Sequence, residues 1–444
     1  MGGFSCVRKM NVLLINPSQN TKYPQPPMGL ALLGAILERV GYEVKIVDTN
    51  IVKDYQPYLY SADVVGLTAM TPTITSALDI ARSVKKYSNN IKVILGGVHA
   101  SLLPKETLVS CPEVDTIVVG EGDKAILDVL SNDLTGIYHD SDEVELDGLP
   151  FLGYHLLEWG KYKPHPPHGM KMPWLPLLTS RGCPMSCSYC SHGVFGNKYR
   201  GQSVLRVVDE IVYLQRRFGV KEIAFYDDVF TLRKGRAYGI ADEILKQGIK
   251  LSWTCETRVD LVDEELLKIM KRAGCYSISY GLESGSQKIL DIINKNITLE
   301  QSEKAVAMTK KAGIQTIGYF MIGSPEETPE TIRETIEFSK KLKLDYVQFA
   351  ITTPLPKTML WEYYIKNNTL NIPWDDLIYA GVGSKTSPVF ESGLLDRQSI
   401  GDWVSRAYKE FYLRPEYFIQ KLGGIRSFGD MRVLVDGVKM LRGM

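Results

Sequence analysis

Short apolar runs bounded by turn residues alternate with amphipathic stretches along most of this chain. NVLLIN (11–16) predicts a buried strand, residues 29–40 a helix stopped by Gly41, and EVKIVD (43–48) the next strand. VVGLT (64–68), KVILGG (92–97) and TIVVG (116–120) continue the series, with a helix at about 73–87. Buried strands alternating with helices make a doubly wound, Rossmann-like parallel sheet, whose ligand site lies at the carboxyl ends of its strands. The polar and glycine-rich residues stand at those ends: PSQN (17–20), TAMTPT (68–73), GGVHA (96–100) and GEG (120–122). Glycine pairs there let a ligand approach the backbone, and helix N-termini can hold a phosphate. No Gly-x-Gly-x-x-Gly is present, which disfavours a dinucleotide.

Charges, prolines and glycines break the alternation over 131–173, which reads as a linker. Within it KPHPPHGM (163–170) sets two histidines among three prolines, an extended loop rather than a metal site, since no cysteine or repeated spacing accompanies them. From Trp174 the pattern resumes. Strands are predicted at 175–180, 222–227, 251–256, 277–282, 316–322 and 346–351, with helices near 204–218, 233–247, 264–273, 299–312 and 328–342. Six such units make a partial (β/α)6 barrel, and sites in barrels of this kind lie at the carboxyl ends of the strands. The expected division is a ligand-binding α/β domain at 1–135, a linker at 136–173, a partial barrel at 174–353 and a mostly helical extension at 354–444.

Composition narrows the function. The chain has 444 residues and is 44% hydrophobic, enough for two or three domains with buried cores. A formal net charge of +1 gives no nucleic-acid footprint. The first apolar run, 11–16, is too short for a signal-peptide core or a membrane span, and no later run approaches twenty residues, so a cytoplasmic location is expected. From residue 404 onward there are eight Lys or Arg against four Asp or Glu, the ratio of an ordinary solvated helical face.

Seven cysteines in a chain of this length do not form a disulfide framework. Cys6, Cys111, Cys255 and Cys275 are scattered and read as small buried side chains. The other three share one loop, SRGCPMSCSYC, directly after an apolar strand. Cys183, Cys187 and Cys190 are separated by three and then two residues. Three thiolates so placed can hold three irons of a 4Fe-4S cubane and leave the fourth iron open to a small molecule. A structural zinc takes four protein ligands, and His192 is the only local fourth candidate.

This motif resembles that of the radical S-adenosylmethionine (SAM) enzymes. The resemblance extends through FYDDVFT (225–231), WTCETRVD (253–260), YGLESGSQ (280–287), GYFMIGSPEET (318–328) and TPLPKT (353–358), in the order and spacing of the branch with an N-terminal cobalamin domain. The N-terminal series NP, PPMGLALLGAILERVGYEVKIVD, GLTAMT, GGVHA and GEG is similar to that domain. The Asp-x-His-x-x-Gly motif that supplies a lower cobalt ligand elsewhere is missing, which implies cobalamin bound with its base displaced and no histidine on cobalt.

The resemblance carries expectations for individual residues. Thr68, Met70, Thr71, Gly96, Gly97, His99, Gly120 and Glu121 would meet cobalamin, His99 lining the pocket for its nucleotide tail and Met70 covering the lower cobalt face. Cys183, Cys187 and Cys190 would hold the cluster, and SAM would bind its open iron. Asp227 and Asp228 would accept from the SAM ammonium, a helix N-cap being the structural alternative for Asp228. Arg258 would pair with the SAM carboxylate, Glu256 and Ser284 would touch ribose or methionyl atoms, and Tyr189 would meet the adenine. Residues 320–323, ending at Gly323, would close the adenine pocket, and Glu283 would either face SAM or form a supporting salt bridge. The aromatic tail, with LWEYY (360–364), IPWDDL (372–377) and 406–418, could cover the active site.

The implied activity is a cobalamin-dependent radical SAM C-methyltransferase working through methylcobalamin and a 5′-deoxyadenosyl radical, with a ferredoxin or flavodoxin as electron donor. The acceptor would be an unactivated carbon of a peptide or protein, such as a glutamine of methyl-coenzyme M reductase. The alternatives are a cyclase, ring-rearranging or carbon–carbon coupling enzyme of the same branch, and a non-catalytic cobalamin or Fe–S sensor. A methylthiotransferase would need three further cluster cysteines, and Cys6 and Cys111 are too few.

Overall fold

NVLLIN folds as β1 (Asn11–Asn16), its four central residues buried as a strand covered on both faces requires. The structure is a computed structural model that describes residues 10–19, 21–139, 143–164, 169, 171–367 and 395–422. It divides into two units, Met1–Pro184 with His192–Tyr226, and Met185–Ser191 with Asp227–Met444.

In the first unit, α1 (Met28–Arg39) and β2 (Glu43–Asp48) follow β1, then β3 (Val64–Thr68), α2 (Ile74–Tyr87), β4 (Lys92–Gly96), α3 (Val98–Leu102), α4 (Pro104–Ser110), β5 (Thr116–Val119), α5 (Gly122–Ser131) and β6 (Gly136–His139). The sheet order is β2-β1-β3-β4-β5-β6, each neighbouring pair parallel, with Val12 opposite Val44 on one side and Val64 on the other. The winding reverses between β1 and β3. At such a switch point the carboxyl ends of the strands open a crevice for a ligand.

The stretch expected to be a linker is only partly one. Gly136–His139 forms the sixth strand, and Tyr154 and Tyr162 are buried at 0% and 1% exposure. Their hydroxyls donate to the Pro176 carbonyl at 2.5 Å and to Asp48 at 2.8 Å. Residues 165–168 and 170 of the histidine–proline loop, like Asn20, lie outside the described residues. The same unit also contains β7 (Trp174–Leu177), the ribbon of β8 (Ser180–Arg181) and β9 (Arg200–Gly201), α6 (Val204–Phe218), and β10 (Glu222–Phe225) parallel to β7. Helix α6 begins where the Ser203 hydroxyl accepts from the Arg206 N–H and ends at Gly219, whose φ of 66° suits a residue without Cβ.

In the second unit α7 (Lys234–Lys246), β11 (Ser252–Thr257), α8 (Glu264–Arg272), β12 (Cys275–Glu283), α9 (Gln287–Ile292), α10 (Leu299–Lys311), β13 (Gln315–Ile322), α11 (Pro329–Lys341) and β14 (Tyr346–Ile351) repeat the β/α pattern. Strands β11, β12, β13 and β14 pair in parallel in that order. All six strands expected between 174 and 353 are therefore present. Beyond them come α12 (Met359–Lys366), α13 (Arg397–Tyr412) and α14 (Pro415–Leu422).

The aromatic side chains of α13 cover a strand. Phe349 and Val347 of β14 donate their N–H groups to Tyr408 and Tyr412 at 3.0 and 2.9 Å, which blocks strand addition at this edge. The segment 372–377 and the basic end of the chain past 422 lie outside the described residues, as does Cys6. Cys111, Cys255 and Cys275 are buried as expected. Among the described residues no helix is long and apolar enough to cross a membrane.

Candidate active site

A cavity of about 300 Å³ opens in the first unit at the carboxyl ends of β3, β4 and β5. Thr68, Gly96, Gly97, Gly120 and Glu121 all line it, among apolar side chains such as Leu33, Leu67 and Val118. Two glycines keep this region open. A Cβ on Gly97, whose φ is 98°, would stand 2.7 Å from the Ala69 carbonyl oxygen, and one on Gly66 would stand 2.7 Å from Leu14. An apolar, glycine-lined cavity at the switch point of a doubly wound sheet suits a flat aromatic group such as the base of a nucleotide tail.

His99, Met70 and Thr71 do not line this cavity. His99 is 3% exposed, does not line the cavity, and stands with Nδ1 3.3 Å from the Thr71 hydroxyl. Burial lowers its pKa to about 4, against a small opposing effect of Glu106, so its ring is neutral. It is the first turn of α3 that carries it away from the strand ends. Met70 is 43% exposed beside the turn that its own N–H closes on the Thr73 hydroxyl. Neither it nor Thr71 reaches the cavity wall.

The cysteine loop is tied down by backbone. Ser188 donates to the Ile293 carbonyl and accepts from Leu360, each at 2.9 Å, while the Cys190 N–H reaches the Cys187 carbonyl at 3.1 Å. Cys187 is buried, Cys183 half-buried and Cys190 exposed. A hydrogen bond from Cys190 lowers the pKa of the Cys187 thiol against burial, and the charges of Lys295 and Arg258 act in the same direction. A thiolate is the form that binds metal. Among the described residues no three His, Cys, Asp or Glu side chains stand ready to share one ion. Thiolates that each hold a separate iron of a cubane are necessarily spread wider than the ligands of one zinc.

Around Cys187 the structure assembles a polar network. Lys295, 5% exposed, donates to Glu283 at 2.6 Å and to the Tyr189 hydroxyl at 3.1 Å, and that hydroxyl donates to Glu283 at 2.9 Å. Glu283 is thus the supporting salt bridge of the two readings open for it. Its φ of 64°, at an irregularity in the β12–β13 pairing, aims the carboxylate back at Lys295. Lys295 escaped the sequence reading. Its signal is slight: a lysine in the turn NKN between two asparagines of positive φ.

Arg258 stands beside Cys187 with its guanidinium hydrogen-bonded inside the chain. Its Nε and Nη2 donate to Asp260 at 3.0 and 3.2 Å, Nη2 also donates to the Lys295 carbonyl at 3.0 Å, and Nη1 faces the Cys187 sulfur at 3.9 Å. The fork expected to clasp a SAM carboxylate is already filled by an acid two residues away. Ser284 is likewise committed: 1% exposed, its hydroxyl meets Thr335 at 3.0 Å and accepts from the Ser286 N–H at 3.1 Å. Gly323 donates its N–H to Glu327 at 2.5 Å and accepts from the Tyr364 hydroxyl at 3.0 Å, so both its backbone groups are engaged internally.

Asp227 is buried, with Arg236 at 3.8 Å, while Asp228 is exposed. Asp228 caps no helix, because α7 starts only after Arg233. Glu256 accepts from the Tyr319 hydroxyl at 3.1 Å, and burial raises its pKa.

Residues 18–130 match the B12 binding domain and residues 177–339 the radical SAM superfamily. The chain is 36% identical to the uncharacterized methyltransferase PH0819 of Pyrococcus horikoshii, over 94% of this chain and 95% of that one. It is 29% identical to the anaerobic magnesium-protoporphyrin IX monomethyl ester cyclase of Rubrivivax gelatinosus, over 92% of this chain and 78% of that one. The cobalamin-dependent SAM radical enzyme OxsB, with aqua-cobalamin and SAM bound, shares the fold at a TM-score of 0.74 and 17% identity, over 98% of this chain and 71% of that one. The radical SAM methyltransferase TsrM of Kitasatospora setae, with cobalamin and its cluster bound, does so at 0.67 and 20%, over 81% and 75%. Cavity, cysteine loop and overall relationship agree: the chain belongs to the cobalamin-dependent radical SAM methyltransferase family, whose members use a 4Fe-4S cluster, SAM and cobalamin.

Proposed function

We propose that the protein methylates an unactivated carbon of a peptide or protein acceptor. The observation that carries this reading is the presence, in one chain, of the glycine-lined cavity and the three-cysteine loop, together with similarity along nearly its whole length to a protein named a methyltransferase. When bound, the cluster supplies the electron that splits SAM into methionine and a 5′-deoxyadenosyl radical, and cobalamin carries the methyl group.

The protein's own residues position the reactants. Cys183, Cys187 and Cys190 hold three irons, and Lys295 and Arg258 keep positive charge beside Cys187. Arg258 and Lys295, each paired with an acid of the chain, are the two cations beside Cys187 available to the SAM carboxylate. Asp227 and Asp228 supply acceptors for its ammonium. Thr68, Gly96, Gly97 and Gly120 form the walls around the cobalamin tail. No protein nucleophile is needed, since the reacting groups belong to the cofactors and the work of the side chains is orientation.

A second reading, cyclisation or carbon–carbon coupling, is favoured by the 29% identity to the cyclase. The two differ in stoichiometry. Methyl transfer consumes two SAM molecules per product, giving one S-adenosylhomocysteine and one 5′-deoxyadenosine. The test is anaerobic turnover with methyl-labelled SAM, a reduced ferredoxin or flavodoxin, and cell extract separated into protein and small-molecule pools. Label in protein supports the proposal. Label confined to small molecules moves the acceptor class, and 5′-deoxyadenosine formed without S-adenosylhomocysteine replaces methylation by the cyclase reading.

A further inference from the structure

The loop that carries all three cysteines has a closed base. It leaves the ribbon after Arg181 of β8 and returns at Arg200 of β9, and these two arginines stand opposite each other in the antiparallel pair. Below them Gln202 donates to the Thr179 carbonyl at 2.9 Å. Above them the backbone is pinched: a Cβ on Gly182, whose φ is 79°, would fall 2.3 Å from the Lys198 carbonyl oxygen.

Both arginines are held by acids at the start of α5, Glu121 of the GEG segment just before the helix and Asp123 in its first turn. Arg181 pairs with Glu121 and with Asp123, whose second oxygen is 3.2 Å from Arg181 Nη2, and Arg200 pairs with the other oxygen of Glu121. The four side chains are 15% exposed or less. Two carboxylates against two guanidiniums leave no net charge. The Phe195 ring lies 5.2 Å from the Arg181 guanidinium. Glu121, Asp123, Arg181 and Phe195 all line the cavity, so whatever fills it rests against these charges.

Burying four charges is a poor way to gain stability, because desolvation offsets most of the attraction and apolar substitutes of the same shape often do as well. The better-attested use of buried ionic groups is to fix register. We propose that Glu121 is a positioning residue rather than a cobalamin ligand: with Asp123 it clamps Arg181 and Arg200, and through them cobalamin in the cavity orders the base of the cluster loop. This rests on the assignment of the cavity to cobalamin made above.

The experiment is hydrogen exchange on the full-length chain with and without hydroxocobalamin, read on peptides spanning 182–199. In the wild type, hydroxocobalamin should slow exchange of these amides. Glu121→Gln keeps the shape and removes the charge. It should speed their exchange by about tenfold or more and abolish the cobalamin-dependent slowing, each protein being measured at a hydroxocobalamin concentration that saturates it. A merely structural role would speed exchange and leave the cobalamin-dependent difference intact. Should Glu121→Gln fail to fold, Arg200→Lys, which retains charge but gives up the fork, takes its place.

Slowing of equal size in the wild type and the variant overturns the clamp. So does hydroxocobalamin that binds the wild type without slowing the loop. If hydroxocobalamin binds but exchange in the cavity-wall peptides 96–100 and 116–126 does not respond, the cavity assignment itself falls.

Discussion

Lys295 is 5% exposed and paired with Glu283, and what surrounds it determines what its removal would do. Lys295→Met leaves the Glu283 carboxylate buried without its ion pair, and breaking a buried pair from one side costs about 3–5 kcal/mol. Lys295→Arg keeps the charge and should cost far less. Chemical denaturation ranks the two, and SAM binding to the reconstituted protein should weaken by about tenfold or more in the methionine variant only. Equal SAM affinity in both variants would remove Lys295 from SAM binding.

Glu327 offers a residue-scale test of a different kind. It is 1% exposed and accepts from the Gly323 and Ser324 N–H groups through one oxygen, while the other, Oε1, is buried without a partner among the described residues. Burial raises its pKa from the ordinary 4.5 to about 7, although the two N–H donors oppose the shift. The folded protein therefore holds a proton that the unfolded chain releases near pH 4.5. As pH rises from 4.5 to 7 the unfolded state gains, and stability falls by about 3 kcal/mol from this group before levelling off. Glu327→Gln can still accept both N–H bonds but has no proton to lose. Its stability relative to wild type should improve by that amount across the same window and stay constant above it. Parallel curves for the two proteins would show that Glu327 titrates normally.

At the scale of elements, apolar runs and amphipathic spacing made the longer elements legible: YVQFAI is β14 to the residue, and β1, β2, β3 and α6 also match. Short elements were not. Helices α3 and α4 have five and seven residues, too few to show a 3.6-residue period, and β6 is a four-residue edge strand whose GIYH has no apolar run. The site shows the same limit. The glycines at strand ends marked the cavity because their need is local. The arginine partners of Glu121 were not legible because they are 60 and 79 residues away. Nor was the pairing of Arg258 with the carboxylate two positions on, which shows no pattern in the sequence.

The glycine argument can be tested where it is strongest. Gly97→Ala imposes a left-handed φ on alanine and pushes a methyl against Ala69, which should cost about 2–4 kcal/mol. Cobalamin retention should fall with it. Gly160→Ala, where an added Cβ meets nothing within 4 Å and which does not line the cavity, serves as control and should leave both unchanged.

At the scale of the whole molecule, the two cofactor sites draw on different side chains. The cavity is lined by residues between Leu14 and Glu210, and none of Cys183, Cys187 and Cys190 is among them. His99, the histidine nearest the cavity by sequence, is turned to Thr71 and neutral. Iron and cobalamin contents should therefore be separable. The wild-type chain, reconstituted anaerobically, should hold about four irons, the content of one cubane. Replacing Cys183, Cys187 and Cys190 together by Ala should remove that iron and all SAM cleavage, yet leave uptake of one cobalamin intact, because Arg181, Arg200 and the cavity wall are untouched. In both proteins the visible spectrum should be that of cobalamin with its base displaced and no histidine on cobalt, and His99→Ala should not change it. Full zinc occupancy of the wild type without iron would defeat the cluster assignment. A spectrum altered by His99→Ala would mean that this histidine leaves Thr71 for the metal when cobalamin binds.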